Sequence, residues 1–133
     1  MRLWHYKLIP VLPKAMLVSQ WRECIAIKRQ WEKGTLKHRL VSYVLGYDKK
    51  VFASYTRCVM QEMYNRNIKF KADLVREMID FAGEDPGYEC YPEHNERYLK
   101  QCYYNLQEKA DRGIVSPEEW ERIQDMLKRS LVL

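Results

Sequence analysis

The sequence predicts an all-α fold, an irregular helical bundle in a single domain. Three observations carry that prediction. Apolar residues recur at the 3.6-residue period over long stretches. No segment combines sustained two-residue alternation with turn chemistry, and there is no Asn-Gly or Asp-Gly pair to seed a hairpin. Glycine and proline stand at the boundaries of the periodic stretches, where helices start and stop. The length, 133 residues, suits one compact domain with a core of its own. A composition of 47% apolar and 31% charged residues is that of a globular chain.

Residues 1–12 read as extended or irregular, because Pro10 and Pro13 fix φ and remove backbone donors. A first long helix starts near Pro13, a favoured early-turn residue, and runs to about Lys33 with Gly34 as its stop. A short helix is expected around His38–Leu45, ended by Gly46. The clearest pattern spans Asp48 to Asn65. Asp48 serves as N-cap, and Val51, Phe52, Tyr55, Cys58, Val59 and Met63 form one apolar stripe, with Glu62 in the same register. Residues 71–82 form a helix with Leu74, Val75, Met78 and Ile79 inward, and residues 83–87 form a loop. A fourth long helix covers about Glu93 to Arg112, burying Tyr98, Leu99, Cys102, Tyr103 and Leu106. The last helix opens with Ser116-Pro117-Glu118-Glu119, a capping box with proline at the first helical position. Trp120, Ile123, Met126 and Leu127 pack it down.

Charge is unevenly spread. Residues 1–71 carry fifteen Lys/Arg and four Asp/Glu, while residues 72–133 carry eight and fourteen. The formal total is +5, but the first half alone stands at +11. A basic half on one domain implies a basic face, and the usual partner of such a face is a polyanion. No apolar run is long enough to span a bilayer and no signal-peptide pattern opens the chain, so no membrane association and a cytoplasmic location are expected. The four cysteines form no C-x-x-C pair and read as reduced thiols in or near the core. The spacing of Cys90, His94 and Cys102 matches no standard zinc set, so no metal and no cofactor are expected.

Phosphate-binding glycine loops, G-x-S-x-G and H-E-x-x-H are absent from the sequence. Carboxylate acid/base work and amine chemistry remain. Glu23 is the carboxylate that stands out, with Arg22, Lys28, Arg29 and Lys33 supplying positive charge around it. Met16, Ser19, Glu23 and Ile27 share its helix face. An ordinary helix salt bridge to Lys28 or Arg22 is the competing reading of Glu23. The amine is the N-terminus. An α-amine titrates at about 7.7–8.0, against about 10.4 for lysine, so a far larger fraction of it is nucleophilic near neutrality.

The opening Met1-Arg2-Leu3-Trp4-His5, followed by Leu17-Val18-Ser19-Gln20-Trp21-Arg22-Glu23-Cys24, resembles the pyrimidine-dimer DNA glycosylase family of the endonuclease V type, in particular its bacterial branch. The likeness continues through Lys37-His38 and Met60-Gln61-Glu62-Met63, and more loosely through Leu106-Gln107-Glu108-Lys109. The resemblance implies a single all-α domain whose N-terminal segment is packed between long helices. It implies removal of a damaged base and cleavage at the abasic site, through an imine formed by the N-terminal α-amine and then β-elimination. On this sequence the implied nucleophile is the α-amine of Met1, retained because Arg2 is large, and the implied acid/base is Glu23. Arg2 and Arg22 match the family's arginines, and Lys28, Arg29, Lys33, Lys37, His38 and Lys109 are the further residues expected on DNA.

The chain departs from the family where a Gln-His pair gives way to Ala15-Met16, where an arginine gives way to Ala26, and where Met126-Leu127-Lys128-Arg129 replaces an aromatic C-terminus. Pyrimidine dimers, other damaged bases and plain abasic sites are all compatible with what remains. Trp4, Trp21 and Trp31 read as packing residues first and as DNA-stacking residues second. The expected partner is damaged double-stranded DNA, bound by a monomer. The rival reading is a non-enzymatic basic helical module that binds nucleic acid.

Overall fold

A computed structural model describes residues 1–84 and 90–131. Among these residues the backbone forms five α-helices and two 3-10 helices, with no strand. The α-helices are α1 (Lys14–Lys33), α2 (Lys49–Asn65), α3 (Ala72–Ala82), α4 (Glu96–Asp111) and α5 (Pro117–Leu131); the 3-10 helices span Tyr6–Val11 and Ser42–Gly46. α2 packs on both α1 and α3, α4 pairs with α5, and the first 3-10 helix is wedged between α2 and α5. No helix is long and apolar enough to cross a membrane among the described residues. Of the loop expected at 83–87, Asp85, Pro86 and Gly87 lie outside the described residues.

The helix boundaries follow local chemistry. Gly34 ends α1 in the left-handed region at φ 70°, which lets the Thr35 N–H reach back to the Gln30 carbonyl at 2.9 Å. Asn67 does the same after α2 at φ 59°, with the Ile68 N–H on the Met63 carbonyl. The Asp48 side chain caps α2 through the Lys50 N–H at 2.8 Å. At α5 the capping box closes in both directions: the Ser116 N–H donates to Glu119 Oε1 at 2.9 Å, and the Glu119 N–H donates to Ser116 Oγ at 3.1 Å.

Four expectations need correction. Residues 6–11 are a 3-10 helix rather than irregular chain. Pro10 is tolerated inside it because the fixed proline φ suits 3-10 geometry, and His5 caps it by accepting the Lys7 N–H at 3.1 Å. The helix expected at 38–45 shrinks to Ser42–Gly46, because the His38 carbonyl takes the N–H groups of both Val41 and Ser42 and closes a turn there. α4 begins at Glu96 rather than Glu93, since Asn95 is its cap, accepting the Tyr98 N–H at 2.9 Å. Cys24 and Cys102 are buried thiols as expected, but Cys58 and Cys90 are exposed.

The core runs along Leu17, Trp21, Cys24 and Ile27 of α1, Phe52, Tyr55, Val59 and Met63 of α2, and Leu99, Cys102 and Leu106 of α4. Each large side chain removed from water there contributes about 1.5–3 kcal/mol. Trp21 packs on Phe70, and Trp31 packs on Phe52 and Phe81, so both are packing residues. The N-terminal segment is anchored at its far end by Arg66. Its guanidinium donates to the Leu12 carbonyl at 2.7 Å and the Pro10 carbonyl at 3.0 Å while pairing with Glu62 at 2.8 Å.

Two polar clusters tie the layers together. Glu77 of α3 is grasped by Arg29 of α1 in a two-pronged bond at 2.9 and 3.0 Å and by Lys28 at 3.1 Å. Arg29 and then Lys28 hold the Glu77 carboxyl down to about 2. Lys28 also pairs with Glu32 and is buried. The second cluster centres on His94, which is 6% exposed. Its Nδ1 accepts the Tyr6 N–H at 3.2 Å, so the neutral ring carries its proton on Nε2 and donates it to the Tyr43 hydroxyl oxygen at 2.7 Å. Burial, then the neighbouring His5, pushes His94 down to about 3. Burial likewise pushes His5 down to about 4.

Both histidines are therefore neutral in the fold and basic in the unfolded chain. Their depressed values mean that stability is full above about pH 6.5 and is lost as pH falls from there toward 3. Each group contributes a slope of at most about 1.4 kcal/mol per pH unit. Urea unfolding should therefore show stability declining between pH 6.5 and 5, with a shallower slope in His94→Gln; an unchanged slope in that variant contradicts the assignment.

Candidate active site at the N-terminus

Residues 2–4 form no helix and no sheet, yet Leu3 and Trp4 are buried. Buried backbone polar groups need partners, and here side chains supply them. Glu23 Oε2 accepts the Arg2 N–H at a long 3.5 Å. Gln20 Nε2 donates to the Arg2 carbonyl at 2.9 Å, and Gln20 Oε1 accepts the Trp4 N–H at 2.8 Å. The Tyr98 hydroxyl donates to the Leu3 carbonyl, and the Tyr55 hydroxyl donates to the Trp4 carbonyl at 2.6 Å. The segment is thus gripped from α1, α2 and α4 together.

This grip sets the chain end beside a carboxylate. Met1, Arg2 and Trp4 line a cavity of about 310 Å³ with Met16, Ser19, Gln20 and Glu23 of α1 and Asn105 and Lys109 of α4. Met1 lies one residue beyond the Arg2 N–H that Glu23 holds, and successive Cα atoms stand about 3.8 Å apart. Gln20 Nε2 also donates to Glu23 Oε2, at 3.3 Å. Glu23 Oε1 has no protein partner among the described residues. The Arg2 guanidinium stacks over the Trp4 ring, 5.1 Å from its centroid. The cavity is therefore lined by the N-terminal residue, the half-buried Glu23 and two basic residues, Arg2 and Lys109, a setting suited to an anionic ligand. A larger cavity of about 440 Å³ lies between the first 3-10 helix and α2 and includes neither Met1 nor Glu23.

The expected site residues divide into three groups. Met1, Arg2, Glu23 and Lys109 are brought together in the cavity. Arg22 is exposed on α1 and stays outside the cavity lining. One residue turns the helix by about 100°, which separates Arg22 from the Glu23 face. Lys33, Lys37 and His38 are exposed past the middle of α1 and in the following loop, with His38 Nδ1 accepting the Leu40 N–H at 3.2 Å. Lys28 and Arg29 are the third group: both are paired with Glu77, Lys28 buried and Arg29 still exposed. Lys28 is thus paired away from Glu23, unlike in the salt-bridge reading of that carboxylate.

Four residues of this site were missed from sequence. Gln20 carried a signal, standing three residues before Glu23 on the same helix face. Tyr55 and Tyr98 are legible as core residues by periodicity, but nothing in the sequence shows where their hydroxyls point. Asn105 has no signal of its own.

The sequence pattern of one family, described as pyrimidine dimer DNA glycosylase, matches residues 1–75. No curated protein and no solved structure gives a significant match to the chain. The matched stretch contains the gripped N-terminal segment, all of α1 with Glu23, and all of α2 with Tyr55. With more than half of its length matched, the chain belongs to the pyrimidine dimer DNA glycosylase family.

Proposed function

We propose that the protein is a glycosylase and abasic-site lyase for damaged duplex DNA, with the Met1 α-amine as nucleophile and Glu23 as the proton-handling carboxylate. The observation that carries this reading is the shared cavity of Met1 and Glu23, held together by the grip on residues 2–4. The amine adds to C1′ of the damaged nucleotide as the glycosidic bond breaks and the base leaves with its electron pair. Opening of the sugar ring gives an imine between the Met1 nitrogen and C1′. Loss of a proton from C2′ then expels the 3′ phosphate, which is β-elimination, and water releases the enzyme amine. Glu23 is assigned to move these protons, a role supported by its Oε1, which makes no hydrogen bond among the described residues.

Duplex binding falls to Arg2 and Lys109 at the cavity and to the exposed Arg22, Lys33, Lys37 and His38 around it. Such phosphate contacts position a duplex without reading its sequence. Selectivity then comes from the low cost of unstacking a damaged nucleotide, and a pyrimidine dimer is the first lesion to test. We place the protein in the cytoplasm, working as a monomer.

Borohydride reduces an imine to a stable link, so untagged protein should be trapped on abasic duplex DNA. Protein acetylated or extended at its N-terminus should not be. Trapping that survives the blocked terminus moves the nucleophile to a lysine and overturns the assignment to Met1. Glu23→Gln should keep duplex binding and lose about 10²–10⁴-fold in strand cleavage.

The division of the basic residues gives a second test. Arg22→Ala should weaken duplex binding and reduce the salt dependence of log K by about one phosphate contact. Lys28→Met should instead lower folding stability by roughly 1–3 kcal/mol and leave the salt dependence as it was. The opposite pattern contradicts the split between binding and packing cations.

A further inference from the structure

We propose that Gln20, fixed by Tyr55, is a positioning residue that holds the N-terminal amine and the Glu23 carboxylate in reacting register. This rests on the reading of Met1 and Glu23 given above.

Gln20 lies in the middle of α1 with 0% of its surface exposed. A primary amide buried there is costly unless its hydrogen-bonding groups are met. All four are. Its two amide hydrogens go to the Arg2 carbonyl at 2.9 Å and Glu23 Oε2 at 3.3 Å. Its oxygen accepts from the Trp4 N–H at 2.8 Å and stands 3.1 Å from the Tyr55 hydroxyl. The orientation of the amide follows from these partners: the Trp4 N–H can only donate and the Arg2 carbonyl can only accept, so oxygen and nitrogen cannot exchange places.

A clamp serving the fold alone needs only the two backbone bonds. The third bond goes to the carboxylate instead. It holds Glu23 Oε2 on the side of the N-terminal segment and leaves Oε1 without a hydrogen bond among the described residues, on a residue that lines the cavity. Gln20 thereby ties the position of the amine to that of the acid/base group through a single planar side chain. Tyr55 secures the arrangement from α2, because its buried hydroxyl touches both Gln20 Oε1 and the Trp4 carbonyl. Reacting groups displaced by about 1 Å lose on the order of 10²-fold in rate, so loss of this tie should appear in the chemical step.

The test uses untagged full-length protein carrying Gln20→Met or Tyr55→Phe. The first keeps side-chain volume and removes every bond the amide makes; the second keeps Gln20 and removes only the hydroxyl. Folding is followed by circular dichroism and melting, binding by the Kd for abasic duplex DNA, and chemistry by the single-turnover rate of borohydride trapping. Gln20→Met should trap about 10²-fold more slowly and Tyr55→Phe about tenfold more slowly, each with a Kd within threefold of wild type. If Gln20→Met fails to fold, Tyr55→Phe decides alone. A folded variant that traps within threefold of wild type, or whose slower trapping is removed by saturating DNA, overturns the proposal. Wild-type protein that binds abasic DNA but is never trapped overturns the amine reading and this inference with it. Normal wild-type trapping with unaffected variants overturns this inference only.

Discussion

Three residues at the start of the chain, Arg2, Leu3 and Trp4, run through the protein interior without forming a helix or joining a sheet, and the fold is organised around meeting their hydrogen bonds. Backbone groups in such a place have no periodic partner, and leaving one unmet costs about 1–3 kcal/mol. Gln20 and Glu23 from α1, Tyr55 from α2 and Tyr98 from α4 provide the partners. Because these groups come from three helices, the segment fastens the helices to one another as much as they fasten it. Chain near a terminus is usually mobile, but here Leu3 and Trp4 are built into the core, with Met1 and Arg2 half-buried at its edge. That is the condition amine chemistry at residue 1 requires, since a frayed end could not hold a nucleophile at a fixed point.

The same economy governs the charges. The basic first half of the chain suggests a uniform phosphate-binding face, but α1 divides its cations by direction. Lys28 and Arg29 turn toward α3 and close on Glu77, where they hold that helix in place. Arg22, Lys33, Lys37 and His38 stay in solvent. Arg2 and Lys109 enter the cavity from opposite ends of the sequence, one beside the chain end and the other from α4. α4 lies beyond the part of the chain matched by the family pattern, so the cavity wall facing the N-terminus is completed by residues outside that pattern.

The helices were legible because their signals are local. Asp48, Gly34 and the Ser116–Glu119 box act within one turn of where they stand, and each is found in its expected role. The first 3-10 helix was not legible, because two prolines signal a break without saying what replaces the helix. The start of α4 was set by Asn95, whose side chain caps a helix beginning at Glu96, three residues after the expected Glu93. In the site, Glu23 was conspicuous as one acid among bases, and the opening motif singled out Met1. Lys28 resembled its basic neighbours in sequence, and only the packing of α3 beside α1 separates it from them. Gln20 was passed over because a glutamine inside a helix usually faces water; its burial depends on a backbone segment eighteen residues away.

Residues 2–4 are gripped from three helices, and exchange of the Trp4 amide hydrogen measures whether they are held as firmly as the core. That hydrogen is donated to Gln20 Oε1 within a residue 7% exposed. Opening it should require loss of the packing among α1, α2 and α4, so its protection should match that of the core amides of α1, such as those of Trp21 and Cys24. Exchange at the rate of an exposed, unbonded amide, with α1 still protected, would mean that the terminus frays on its own and would contradict the account.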